Sequence, residues 1–315
     1  MKAPAVRLSS GRKLPLIALG TAGIPYHSQQ IQTSISLALK IGYRHFDTAK
    51  IYGSEPAIGK ALNEAFDEGI VKREEVFVTS KLWCSDHHDP GAALKRTLHN
   101  LKLEYLDLYL VHWPVRFKEG VCYAVPKEDD FERLDMEQTW HAMEKCVELG
   151  LCHSIGISNF SSKKIEDLLS HASIPPAVNQ VELHPLWRQH KLREFCAERK
   201  IHLSAYSPLG GPGSPWGSKA VIKNPTIVSI AHKHQRTPAQ IALRWALESG
   251  VSVVAKSFNE ERMQENWGVS DWVLDAEDHC KINDLSQMKF MRGDFLVNNT
   301  TSPYKTIEEL WDGEI

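Results

Sequence analysis

Short apolar runs alternate with longer amphipathic stretches over most of the chain. The short runs read as strands at 16–20 (LIALG), 43–48 (YRHFDT), 76–83 (VFVTSKLW), 106–113 (LDLYLVHW), 153–158 (HSIGIS), 177–182 (AVNQVE), 202–207 (HLSAYS) and 251–257 (VSVVAKS). Between them apolar residues recur at helical spacing, as at Ile31, Ile35 and Leu39 and again at Ile58, Leu62 and Phe66, which lines them up on one helix face. Alternation of this kind calls for parallel strands joined by crossover helices, and eight repeats predict an α/β fold closed into a (β/α)8 barrel of the TIM type. A doubly wound sheet is the runner-up. It would want a G-x-G-x-x-G turn after the first strand, and ALGTAGIP is not one.

Three segments fall outside the repeat. VRLSSGRKLPLI at 6–17 has two short β-like arms around SSGRK and predicts an N-terminal β-hairpin plugging the barrel bottom. The connection 114–135 and the tail 287–315 show little periodicity and read as long loops at the C-terminal face, where lids and binding loops sit.

Composition narrows the partners. With 37 Lys and Arg against 39 Asp and Glu, the net charge is −2, so no basic field exists to draw in nucleic acid or anionic lipid. No apolar run reaches the roughly 18 residues of a membrane helix, and MKAPAVRLSSGRKLP lacks the apolar core of a secretory signal. The six cysteines are scattered with no C-x-x-C pair. Reduced thiols in a cytoplasmic protein are the expectation.

Barrel enzymes carry their chemistry at the C-terminal strand ends. Polar residues that packing does not require fall there: Asp47 with Tyr52 just beyond, Lys81, His112, Ser158 with Asn159, Gln180, Tyr206, and Lys256 with Ser257. Singly, each has a bland role as a cap, a charge partner or a core histidine. Together the first four make coherent chemistry. A phenol is a poor proton donor at neutral pH, an adjacent ammonium lowers its pKa, and a carboxylate keeps that ammonium charged away from water. Lys81 is expected to do the first for Tyr52 and Asp47 the second for Lys81, with His112 holding a substrate oxygen. Such a group suits protonation of an oxygen gaining negative charge, as in carbonyl reduction. Hydrolysis fits poorly, since neither a G-x-S-x-G elbow nor an H-E-x-x-H pair is present. DHHD at 86–89 is too local for a metal site, and no metal is expected.

The motifs GYRHFDTAKIYGSE, VFVTSKLW, YLDLYLVHWP, IGISNF, VNQVELHP, AYSPLG and VVAKSFNEERMQEN occur in the order found in the aldo-keto reductases. The chain resembles that family from end to end, which implies one barrel domain over residues 1–315 and bound NADPH/NADP+. By position, the resemblance makes Asp47, Tyr52, Lys81 and His112 the catalytic tetrad, with Tyr52 the acid in reduction. Ser158, Asn159 and Gln180 match the partners of the nicotinamide carboxamide, and Tyr206 the aromatic stacked on its ring. Ser207 and Leu209 would lie along the pyrophosphate. Lys256, Ser257 and Arg262 match the 2′-phosphate pocket, and Glu265 and Asn266 the adenine contacts. A paired lysine and arginine favour NADPH over NADH, because a dianion needs cations and a hydroxyl does not.

SKLWCSD, HKLREFC, KSFNEERM and SPYKTIEELWDGEI resemble the plant group of the family that includes deoxymugineic acid synthase and chalcone, codeinone and methylecgonone reductases. A role in plant specialised metabolism follows from that likeness. Lys50, near the substrate mouth, departs from the small residue expected there, and Trp267 from an aliphatic one. Trp83 and Trp113 are the expected walls for a small-molecule carbonyl substrate, while Trp187 is weighed evenly between wall and core. The family is often monomeric, so a monomer is expected. The competing reading is a nicotinamide-binding regulatory protein on the same barrel with little turnover, like the β subunits of potassium channels. A barrel hydrolase or isomerase stands behind it.

Overall fold

The structure is a computed structural model that describes residues 4–23 and 27–315. Eight parallel strands close on themselves: β1 (Ile17–Gly20), β2 (His45–Asp47), β3 (Phe77–Leu82), β4 (Leu108–Val111), β5 (Ile155–Ser158), β6 (Val178–Glu182), β7 (His202–Tyr206) and β8 (Ser252–Ala255). Pairing follows chain order round the ring, and β8 returns to β1 with Val254 opposite Ala18. Each strand lies inside its predicted run and is shorter, because the flanking residues turn away from the barrel once ladder pairing ends. Both faces are covered, by side chains within and helices without, so these strands read as continuous apolar runs.

The helices start where the sequence supplies caps. Asp89, Asp135 and Ser161 each accept a bond from a first-turn amide, of Ala92 at 2.8 Å, Gln138 at 2.9 Å and Lys164 at 3.2 Å. These bonds satisfy donors that a helix end otherwise leaves open. The hairpin pairs Ala5–Arg7 with Lys13–Pro15, and Leu8 and Leu14 pack on Phe77, Leu108 and Val178 at the start of barrel strands. That is the predicted plug.

The two aperiodic loops meet above the barrel. The connection 114–135 carries a ribbon, Arg116–Phe117 against Phe131–Glu132, and the tail carries a short helix, Ile307–Trp311. Phe117, Phe131, Met291, Leu296, Leu310 and Trp311 bury one another beside Trp83 and Trp113. Glu182, at the tip of β6, fastens the tail by accepting the amides of Phe290 at 2.9 Å and Met291 at 2.8 Å.

Helix Glu55–Asp67, which follows Tyr52, crosses helix Pro90–Leu101 at Gly59. A Cβ at Gly59 would stand 2.4 Å from the Leu101 carbonyl oxygen, and backbone has little room to yield. Gly59→Ala is expected to cost about 1–3 kcal/mol, the usual range for overpacking. Thermal unfolding checks it, and an unchanged melting temperature would mean the helices part freely.

Candidate active site

The strand ends surround a cavity of about 730 Å³. At its centre Lys81, on β3, projects inward and is fully buried, with Nζ 2.7 Å from Asp47 Oδ1 and 2.8 Å from the Thr48 carbonyl. The other Asp47 oxygen accepts Gln180 Nε2 at 2.8 Å. Tyr52 lies just beyond β2 on the single turn Lys50–Tyr52. Its ring centroid is 5.1 Å from the Lys81 ammonium and 5.8 Å from the His112 ring, which meets it edge-on. His112 directly follows β4, and Trp83 packs edge-on against it at 5.3 Å.

Burial sets the proton positions. It works against the Lys81 ammonium, yet Asp47 and Tyr52 together hold that group above the ordinary lysine value. For Tyr52, burial pushes the phenol up and outweighs Lys81, which pulls it down, while Asp47 adds to the rise. The expectation that Lys81 leaves the phenol below its usual value is therefore corrected. The physical reason is that a phenolate so deeply buried loses more hydration than one ammonium returns. His112 is driven well below the usual histidine range by burial and then by Lys81. At neutral pH the site holds a protonated phenol, a charged lysine and a neutral imidazole.

Farther along the cavity, Ser158 and Asn159 close β5. Ser158 donates to the Gln180 carbonyl at 2.8 Å, Asn159 Nδ2 to the His112 carbonyl at 3.0 Å, and the Tyr206 hydroxyl to Asn159 Oδ1 at 2.8 Å. Asn159 and Ser207 have φ of 65° and 47°, left-handed values uncommon outside glycine that concentrate at functional sites. Ser207, Leu209 and Gly211 lead the lining to its far end, where Lys256, Ser257 and Arg262 stand with Glu265 and Asn266. Every predicted site residue lines the cavity except Lys81, which lies behind it.

The far end fits the dinucleotide that the resemblance implies. Neither Lys256 nor Arg262 forms an ion pair among the described residues, and burial lowers the pKa of Lys256. Exposed cations with no counter-charge from the chain offer a place for an anion. Gly211 keeps the path open, since a Cβ there would lie 3.0 Å from Ser207 Oγ.

Several expectations resolve differently. Trp187 is absent from the lining and packs against the Lys289 ammonium, 5.2 Å from its ring centroid. Lys50 turns from the mouth to both oxygens of Asp86, at 2.6 and 2.8 Å. The rest of DHHD is occupied too, with His87 on Thr139, His88 on Glu119 and Asp89 capping a helix. Sequence reasoning missed Ile51, Ala124, Met291 and Phe295 in the lining, which sit between or beyond the strand ends it searched. Thr21, just past β1, is a polar residue at a strand end like the others. Its hydroxyl bonds to the Asp47 carbonyl at 2.9 Å.

Comparison with known proteins agrees with this geometry. A model of the Aldo/keto reductase family matches residues 16–287. Aldo-keto reductase family 4 member C11 of Arabidopsis thaliana is 48% identical over 98% of each chain. Deoxymugineic acid synthase 1 of Zea mays is 49% identical over 96% of this chain and 97% of its own. Among solved structures, a Bombyx mori aldo-keto reductase in complex with NADP superposes with a TM-score of 0.81 at 34% identity, covering 90% of this chain and 92% of that one. The chain belongs to the aldo/keto reductase family and is an NADP-dependent oxidoreductase.

Proposed function

We propose that this protein uses NADPH to reduce an uncharged, apolar aldehyde or ketone to its alcohol in plant specialised metabolism, working as a cytoplasmic monomer in one barrel domain spanning residues 1–315. One observation carries the reading. A single cavity has an acid–lysine–carboxylate group under apolar walls at one end and unpaired cations at the other. The free thiols of all six cysteines fit a reducing compartment.

NADPH, when bound, supplies the hydride. Lys256 and Arg262 would hold its 2′-phosphate beside Ser257, while Glu265 and Asn266 would take the adenine, and Ser207 and Leu209 would flank the pyrophosphate. Tyr206 would offer a flat face to the nicotinamide, while Ser158, Asn159 and Gln180 would fix its carboxamide. His112 donates a hydrogen bond that orients the substrate carbonyl. As the carbonyl carbon becomes tetrahedral, its oxygen takes the Tyr52 proton, and Lys81, kept charged by Asp47, steadies the phenolate left behind.

Trp83 and Trp113 form the substrate walls with Ile51, Ala124, Met291 and Phe295, and no lysine or arginine stands among the described lining residues at that end. The maize relative is named for an acid; these walls favour a substrate without one, because a buried carboxylate lacking a cation is costly.

Tyr52→Phe is expected to keep NADPH affinity, read by fluorescence titration, and to lose at least about 100-fold in turnover, as removal of a general acid typically does. Across a carbonyl panel, kcat/KM should favour neutral bulky ketones and aldehydes over oxo acids of similar size. A preference for oxo acids would overturn the substrate assignment.

The raised phenol fixes a pH dependence. Reduction needs the protonated form, so kcat/KM for the carbonyl should stay level from neutrality to roughly 10, the ordinary phenol value, and fall above it. A fall centred near neutral pH would move the acid role to another group.

A further inference from the structure

The turn that carries Tyr52 is only three residues long, Lys50–Tyr52, and its side chains reach charged partners at two points. One is Tyr52 against Lys81. The other is Lys50, whose ammonium grips both oxygens of Asp86. Asp86 is 5% exposed and belongs to the one-turn helix Cys84–Asp86 that directly follows Trp83. Its amide bonds back to the Trp83 carbonyl at 2.9 Å, so the carboxylate and the tryptophan share one rigid turn. Arg96, from helix Pro90–Leu101, reaches the same carboxylate at 2.9 Å.

We infer that the Lys50–Asp86 ion pair is a positioning device for the reaction, setting the distance between the phenol turn and the Trp83 wall. The inference rests on Tyr52 being the acid. Lys50 touches neither cavity nor reacting atoms, since it is absent from the lining while its neighbours Ile51 and Tyr52 are present. Its lever is geometric. Among the described residues the turn's backbone amides bond only within the turn and its flanks, through Tyr52 N to the Ala49 carbonyl at 3.0 Å and Gly53 N to the Lys50 carbonyl at 3.1 Å. Without Lys50, the mouth side of the turn loses its ionic tie to the neighbouring strand end, and Tyr52 is left with Lys81, the edge of the His112 ring and the packing of Ile51. Proton transfer tolerates small misplacement poorly, and errors near 1 Å cost about 100-fold.

The fold has reason to survive the loss of Lys50. Its side chain is 35% exposed, and Arg96 still pairs with Asp86, so no buried charge is orphaned. A purely structural salt bridge would therefore show itself as a small change in melting temperature and nothing more.

The test compares Lys50→Met and Lys50→Arg with wild type and with Tyr52→Phe, on a bulky neutral ketone. Lys50→Met should keep the melting temperature and NADPH affinity while kcat falls roughly 10- to 100-fold at little changed KM. The deuterium isotope effect on kcat, measured with 4-deuterated NADPH carrying the label at the transferred position, should rise as the chemical step becomes limiting. Lys50→Arg, which can still clasp Asp86, should restore most of the rate. The inference is overturned if Lys50→Met turns over at the wild-type rate, if its loss follows a lowered melting temperature with no change in isotope effect, or if Lys50→Arg fails to restore the rate. Should Tyr52→Phe retain wild-type turnover, the acid assignment itself fails, whatever Lys50 does.

Discussion

The site depends on one buried ion pair, Lys81 with Asp47, whose side chains are 0% and 4% exposed. Removing one partner from such a pair costs about 3–5 kcal/mol, because the survivor is left charged and dry. The pair persists because each remaining site is filled: the Thr48 carbonyl on Lys81, Gln180 on Asp47. Strands β2 and β3 are neighbours, with Asp47 paired to Thr79, so the two charges meet across one ladder. Gln180 comes from β6, on the opposite side of the ring. Its bond to Asp47 spans the mouth of the barrel and locks the carboxylate from behind.

That lock governs the proton. Burial raises the phenol and lowers the imidazole, and Lys81 opposes the first shift while adding to the second. The outcome is asymmetric. Tyr52 keeps its proton in the resting protein, His112 stays uncharged beside the ammonium, and the positive charge is confined to Lys81. On the proposed reading, with Tyr52 as the acid, the group must hold its proton until an oxygen draws on it, and the depth of the site favours this. On that reading the ammonium matters most after transfer, when a phenolate has replaced the phenol.

Much of this was legible in the chain because barrel strands are buried on both faces and carry unbroken apolar runs. A polar residue directly after such a run, like His112 after Val111, stands out against that background. The family motifs sharpened the same positions. What stayed hidden depended on distant partners. Nothing around Lys50 announces Asp86, which is 36 residues away and meets it only because the turns that follow two adjacent strands lie side by side. The tail residues Met291 and Phe295 follow no period, since irregular chain packed on a rim needs none, and their place in the cavity emerges only once Glu182 fastens the tail. The direction of the Tyr52 shift depends on how deeply the site is dried, a quantity no local pattern encodes.

Strand β6 joins these two levels of organisation. Side chains two apart on a strand share a face, and on β6 Gln180 and Glu182 do so in succession. Gln180 serves the carboxylate beneath the phenol, while Glu182 holds the amides of Phe290 and Met291. On the proposed function the lower layer serves the chemistry and the upper holds the wall that the substrate meets. Glu182 is itself fully buried and accepts from His184 at 3.0 Å, so the tail is anchored by a group with no freedom to follow it. On the proposed function, substrate shape would be retuned along the aperiodic tail, between Met291 and Trp311, without disturbing Asp47. The rigid residue between the two functions is a single glutamate, and the division between fixed chemistry and variable specificity runs through that strand end.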